Sequence, residues 1–141
     1  MDGVLYHGDR VIPAAVAFLA AIEGHKRLLI TNNPSRTPAV IAEHLKQLGF
    51  KGIGADDILT SAQATARWLA ERKPDFRYYA VGAEGLHIAL SEVGQAATEQ
   101  VDYVVIGEGP GLDFDSLSLG INLLADVGSC PAAAHWLHRS P

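Results

Sequence analysis

The chain has 141 residues, 48% of them apolar, enough to build the core of one ordinary domain. Its 16 Asp and Glu against 11 Lys and Arg, a formal net charge of -5, leave no basic stripe, which argues against a general nucleic-acid partner. The longest apolar stretch, Ile12 to Ile22, holds Pro13 and falls short of the ~20 residues of a membrane span, no export signal opens the chain, and the single cysteine, Cys130, fits a reducing, cytoplasmic compartment.

Gly3 to Tyr6 reads as a strand remnant. Pro13 opens a helix through Glu23, because proline in the first turn forfeits no hydrogen bond, and Gly24 ends it. Arg27 to Thr31 is a short apolar strand. From Thr37 to Leu48 the apolar residues Val40, Ile41, Leu45 and Leu48 recur at helical spacing, closed by Gly49. After Asp56-Asp57-Ile58-Leu59, Ser61 can cap a helix to about Glu71. Arg77 to Val81 then reads as strand, Ala83 to Val93 as helix, Val101 to Ile106 as strand and Asp115 to about Val127 as helix. Strand and helix alternate throughout, the pattern of an α/β protein with parallel strands. No internal repeat, low-complexity segment or Pro/Gly/Ser-rich linker interrupts it.

The chemistry concentrates in two places. Asp2-Gly3 opens the chain, and Thr31-Asn32-Asn33-Pro34 closes the second apolar strand. At the C-terminal end of a parallel strand a hydroxyl, two amides and the backbone N–H groups that follow can converge on phosphate oxygens. Each piece alone has a plainer reading, Asp-Gly as a turn and Asn-Asn-Pro as a strand-ending turn. Paired at this spacing with Asp2-Gly3-Val4-Leu5-Tyr6 and with Thr60-Ser61-Ala62, Thr31 reads as a phosphate-binding hydroxyl with Asn32 and Asn33 beside it, and Arg36 reads as a solvated surface charge.

Other candidates are weaker. Gly107-Glu108-Gly109-Pro110-Gly111 follows a strand, but a dinucleotide fingerprint needs glycine where Leu112 stands, and Glu108, Asp113 and Asp115 would repel the anion. It reads as a loop of the second unit. The six histidines form no metal cluster in sequence: His7 starts a surface loop, and His135 and His138 are joined only by Cys130.

Asp2-Gly3-Val4-Leu5-Tyr6, Thr31-Asn32-Asn33 and Leu59-Thr60-Ser61-Ala62-x-Ala64-Thr65-Ala66-x-x-Leu69 together resemble the NagD-like, para-nitrophenyl-phosphatase type (class IIA) of the haloacid dehalogenase superfamily. Tyr79 to Leu86 and Asp102 to Gly107 match its cap, so the likeness covers about residues 1 to 128. The resemblance implies an α/β fold, a partial Rossmann-like core over residues 1–60 and a second α/β cap domain over 61–141. It also implies Mg2+-dependent hydrolysis of a small phosphate monoester, such as a nucleotide, sugar phosphate or phosphoglycolate, through an aspartyl-phosphate. Asp2 would be the general acid and base and would bind Mg2+ through its backbone carbonyl; Thr31 would be the phosphate-binding hydroxyl.

Two departures from the family pattern set further expectations. By register the family's nucleophilic aspartate would stand immediately before Met1, and the tail from Ser129 to Pro141 does not continue the pattern, as a reading-frame shift near Gly128 would produce. The later phosphate-clamping lysine and acidic Mg2+ ligands are also absent. The chain as written is therefore expected to have little or no activity, with an unpaired strand edge in its core part. The expected partner is a small phosphorylated metabolite, with no nucleic acid and no membrane; branches of the family self-associate through the cap. The alternative is a noncatalytic α/β binding or interaction module.

Overall fold

The computed structural model describes Met1 and residues 3–126, with the backbone alone at Asp126. Asp2, Cys130, His135, His138 and the anomalous tail lie outside the described residues.

The first turns differ from the sequence reading. Gly3 adopts φ +73, a left-handed conformation favoured by glycine, and the amides of Val4 and Leu5 both turn back to the carbonyl of Met1. The strand remnant expected over Gly3 to Tyr6 is therefore a tight turn. It leads into a short hairpin in which β1 (Tyr6–His7) pairs antiparallel with β2 (Arg10–Val11) across a turn at Gly8, φ +58.

Helix α1 (Pro13–Ala21) begins on its proline as expected, but ends two residues early in a turn that closes at Gly24, φ +88. Strand β3 (Leu29–Thr31) follows. Helix α2 (Pro38–Gln47) matches the sequence reading closely: the Thr37 hydroxyl accepts from the Val40 N–H, and Gly49 turns the chain away at φ +92. A 3-10 turn at Ala55–Asp57 then leads into β4 (Ile58–Thr60), a strand the sequence reading did not assign.

Strand β4 runs parallel to β3, pairing Leu29 with Ile58, Ile30 with Leu59 and Thr31 with Thr60. Arg27 braces this pair from below. Its guanidinium donates to the Gly52 carbonyl and lies 3.9 Å from the Asp57 carboxylate, which in turn accepts from the Gly54 N–H.

The second half forms a three-stranded parallel sheet in the order β6 (Gln95–Ala96), β5 (Arg77–Val81), β7 (Tyr103–Ile106). Helices α3 (Ser61–Arg72), α4 (Glu84–Ser91) and α5 (Phe114–Asp126) accompany it, with α3 against α4 and α5 against β5 and β7. The cap of α3 is Thr60, not Ser61: its hydroxyl accepts from the Gln63 N–H, and the Gln63 side chain accepts from the Thr60 N–H.

Two groups of buried side chains hold these parts together. Leu5, Ala15, Leu19, Ile41, Leu45, Phe50 and Ile58 pack in the first half. Ala62, Ala66, Leu69, Phe76, Tyr78, Leu86, Leu90 and Val105 pack in the second, with a satellite of Val101, Val104 and Leu123 under α5. Around β3, Leu28 and Ile30 stay 53% and 65% exposed, so this apolar edge lacks cover among the described residues.

An ionic clip joins the end of α3 to the starts of β5 and β7. Asp102 accepts from the Lys73 ammonium at 2.6 Å and from the Arg77 N–H at 2.8 Å. Partial burial pushes its carboxyl up, but these bonds and the Lys73 and Arg77 charges outweigh that and hold it below the ordinary carboxylate value. Because the folded value is depressed, the stabilisation is present above the unfolded carboxyl value of about 3.9. It is lost as pH falls through the folded value. Asp102→Asn is expected to cost on the order of 1 kcal/mol at pH 7 and to flatten the acid limb of stability against pH. Urea melts of both forms from pH 7 down to pH 3 test this; parallel acid limbs would refute it.

Candidate phosphate-binding site

Thr31 and Thr60 stand side by side at the C-terminal ends of two parallel strands and are only 8% and 2% exposed. Burying a hydroxyl without partners is costly, so where its bonds go is informative. The Thr60 oxygen is committed to the cap of α3. The Thr31 oxygen accepts from the Asn33 N–H at 3.3 Å, which leaves its hydroxyl proton able to donate.

The segment after Thr31 is fixed by short-range bonds. The Asn33 side-chain oxygen accepts from the Ser35 N–H at 2.7 Å, an Asx turn that spends the carbonyl of the amide and leaves its NH2 as donor. The Ser61 hydroxyl donates to the Asn32 carbonyl at 2.8 Å, tying the end of β3 to the start of α3. Asn32 and Asn33 are exposed, and so is Arg36.

The structure thus brings Thr31, Asn32 and Asn33 together at one strand end. Their remaining capacity is mostly donor capacity, the chemistry an oxyanion requires. Asp2 lies outside the described residues. Sequence reasoning missed how Asn33 and Ser61 act: both first position the loop. The Asn33-Pro34-Ser35 spacing was a readable signal for the Asx turn.

The glycines at residues 107–111 serve packing. A Cβ on Gly109 would stand 2.5 Å from that of Ala83, and one on Gly111 would stand 2.7 Å from the Gly82 carbonyl, so this loop lies flush on the turn between β5 and α4. The start of α5 is already taken. The Asp113 carboxylate accepts from the Ser116 N–H at 2.8 Å and the Ser116 hydroxyl at 2.7 Å, bonds that hold it below the ordinary carboxylate value. A pyrophosphate would meet an anion there.

His7 ends β1 on the exposed side of the hairpin, and His44 packs edge-on against Tyr6 with ring centres 5.4 Å apart. Among the described residues no group of three or more His, Cys, Asp or Glu could hold a metal ion. No helix among the described residues is long and apolar enough to cross a membrane.

Parallel strands that end in a donor-rich loop, followed by a second α/β unit, have the architecture of a Rossmann-like core with a cap subdomain. The family model for a haloacid dehalogenase-like hydrolase matches residues 1–96, and the chain belongs to the haloacid dehalogenase superfamily, in its NagD-like, p-nitrophenyl-phosphatase-type branch.

An acid sugar phosphatase of Staphylococcus epidermidis is 33% identical over 123 residues, 84% of this chain and 47% of that protein. NagD from E. coli K-12 superposes with a TM-score of 0.81 at 29% identity, over 89% of this chain and 51% of that one. A glycerol phosphate phosphatase from Mycobacterium tuberculosis, solved in complex with magnesium, superposes with a TM-score of 0.80 at 27% identity, over 89% and 39% of the two chains. The chain spans about half the length of the curated relatives it matches.

Proposed function

We propose that this chain supplies the phosphate-binding part of a phosphomonoester hydrolase acting on small phosphorylated metabolites, such as a nucleotide, a sugar phosphate or phosphoglycolate. The observation that carries the reading is the buried Thr31 hydroxyl. Its oxygen is occupied by the Asn33 N–H, so its proton is left for a phosphate oxygen at the strand end where α/β folds take ligands. Asn32 and Asn33 add amide donors beside it. Donors fixed before the substrate arrives stabilise the phosphoryl oxygens without reorganising at the moment of reaction.

Membership of the family supports the remaining roles. Asp2 acts as general acid and base, protonating the leaving oxygen and then activating water. The backbone carbonyl of Asp2 would be one ligand of a Mg2+ ion, which would neutralise charge on the phosphoryl oxygens; the magnesium complex of the Mycobacterium tuberculosis relative supports this reading. Residues 1–60 form part of the catalytic core and residues 61–141 the cap, a division in keeping with buried clusters that part between Ile58 and Ala62. The proposed compartment is cytoplasmic, and any self-association would run through the cap.

Phosphate release from a panel of phosphomonoesters with Mg2+ tests the function. The 141-residue chain would be compared with a form extended upstream through the expected aspartate and downstream to the length of its relatives. Turnover by the extended form alone is the expected result. Inactivity of both forms, each shown to be folded, would favour a noncatalytic binding module instead.

A further inference from the structure

Gly85 is the second residue of α4 and is buried. Glycine inside a helix costs about 1 kcal/mol against alanine, so its presence there calls for a steric reason. The reason lies across the chain. A Cβ on Gly85 would stand 2.6 Å from the carbonyl oxygen of Pro34 and 2.9 Å from the backbone of Arg36. These neighbours are backbone atoms, which cannot swing aside as a side-chain tip can. The approach is also polar: the Gly85 N–H, one of the unpaired donors of a helix start, donates to the Ser35 carbonyl at 3.3 Å.

Pro34 to Arg36 is the segment that follows the phosphate donors. Ser35 is half-buried, and its own N–H is the donor that closes the Asn33 Asx turn at 2.7 Å. Asn33 in turn donates to the Thr31 hydroxyl oxygen. A continuous chain of contacts thus runs from Gly85 through Ser35 and Asn33 to Thr31. On the far side, the Pro34 ring lies 3.7 Å from where a Cβ on Gly107 would stand, so the loop rests on two glycines of the second unit.

We propose that Gly85 is a positioning residue: its missing side chain lets the first turn of α4 seat the Pro34–Arg36 backbone, and this seat sets the phosphate donors at Thr31 and Asn33. The inference rests on the phosphate reading of Thr31. It assigns to the cap a part in shaping the phosphate loop through backbone packing, without touching the substrate.

Titration of the whole 141-residue chain with inorganic phosphate, followed by amide NMR shifts of residues 31–37, tests both ideas separately. The comparison set is Gly85→Ala, Thr31→Val and Gly94→Ala. Gly94→Ala is the control, because a Cβ there would press on the Phe76 ring at 2.8 Å, a comparable steric insult remote from the loop. At a temperature where all forms are folded, Gly85→Ala and Thr31→Val are expected to bind phosphate about tenfold more weakly, and Gly94→Ala within about twofold of the unaltered chain.

Loss in Thr31→Val with full affinity in Gly85→Ala would overturn the positioning role and leave the phosphate site standing. Equal loss in Gly94→Ala and Gly85→Ala would also overturn it, since general loosening would then suffice. No saturable phosphate response in the unaltered chain would overturn both. Should Gly85→Ala fail to fold, Pro34→Ala probes the same seat from the loop side: weakened phosphate binding supports the role and unchanged binding refutes it.

Discussion

Thr31→Val, made in the protein extended to the length of its relatives, is expected to lower kcat/KM for phosphate monoesters by about a hundredfold, the loss seen when one preorganised oxyanion donor is removed. Valine keeps the shape of threonine and its preference for strands, so β3 should keep its register with β4. What disappears is a hydroxyl with a defined hydrogen-bond geometry. Its oxygen accepts from the Asn33 N–H, so its proton stays available to donate to another acceptor. The stability cost should stay near 1 kcal/mol, because the Asn33 amide sits in an exposed loop where water can replace the lost acceptor. Thr31→Ser, which restores the hydroxyl, should recover most of the activity. Steady-state kinetics beside thermal melts separate the two effects. A valine variant within threefold of the parent in kcat/KM would remove Thr31 from the phosphate site.

Much of this was legible in the sequence because local signals and tertiary demands agree. Helix α2 carries a hydroxyl cap at Thr37, a proline in its first turn and a glycine just past its end, and the structure uses all three. The donor-rich end of β3 was visible for the same reason: Thr, Asn and Asn after an apolar run have few uses other than a turn or an anion site.

The misreadings occur where a local pattern is too short to carry information. Strand β4 has three residues and β6 two, below the length at which alternation can be recognised, and parallel partners far along the chain define them. Gly3 to Tyr6 looked like a strand because Val4, Leu5 and Tyr6 favour one, yet the left-handed Gly3 turns the chain first and leaves Val4 68% exposed. The cap of α3 fell on Thr60 and not Ser61 because the register of β4 with β3 fixes where the strand stops. Close backbone approaches such as Gly85 on Pro34 have no sequence signature at all. A glycine in a helix announces that something is near, and only the fold says what.

Phe76→Ala carries the largest expected loss of stability. Phe76 is fully buried, its ring centre lies 5.8 Å from that of Tyr78 and 5.5 Å from that of Tyr103, and Leu69, Leu86 and Leu90 share its cluster. A Cβ on Gly94 would stand 2.8 Å from the ring, so backbone as well as side chains is shaped around it. A cavity of this size would be closed only partly by relaxation, and truncating a buried Phe costs about 3–5 kcal/mol. That is a large part of the 5–15 kcal/mol typical of a whole domain. Phe114→Ala, at a residue 83% exposed, should change stability by no more than about 0.5 kcal/mol and serves as the comparison. Where the loss is felt also bears on the proposed division near residue 60. Phe76 belongs to the cluster that begins at Ala62, while α2 and β4 pack through Ile41, Leu45 and Ile58. Native-state hydrogen exchange should therefore show the amides of β5 and β7 losing protection in Phe76→Ala while those of α2 keep most of theirs. Equal loss across α2, β5 and β7 would mean that both clusters unfold as one cooperative unit, and the division would have to be abandoned.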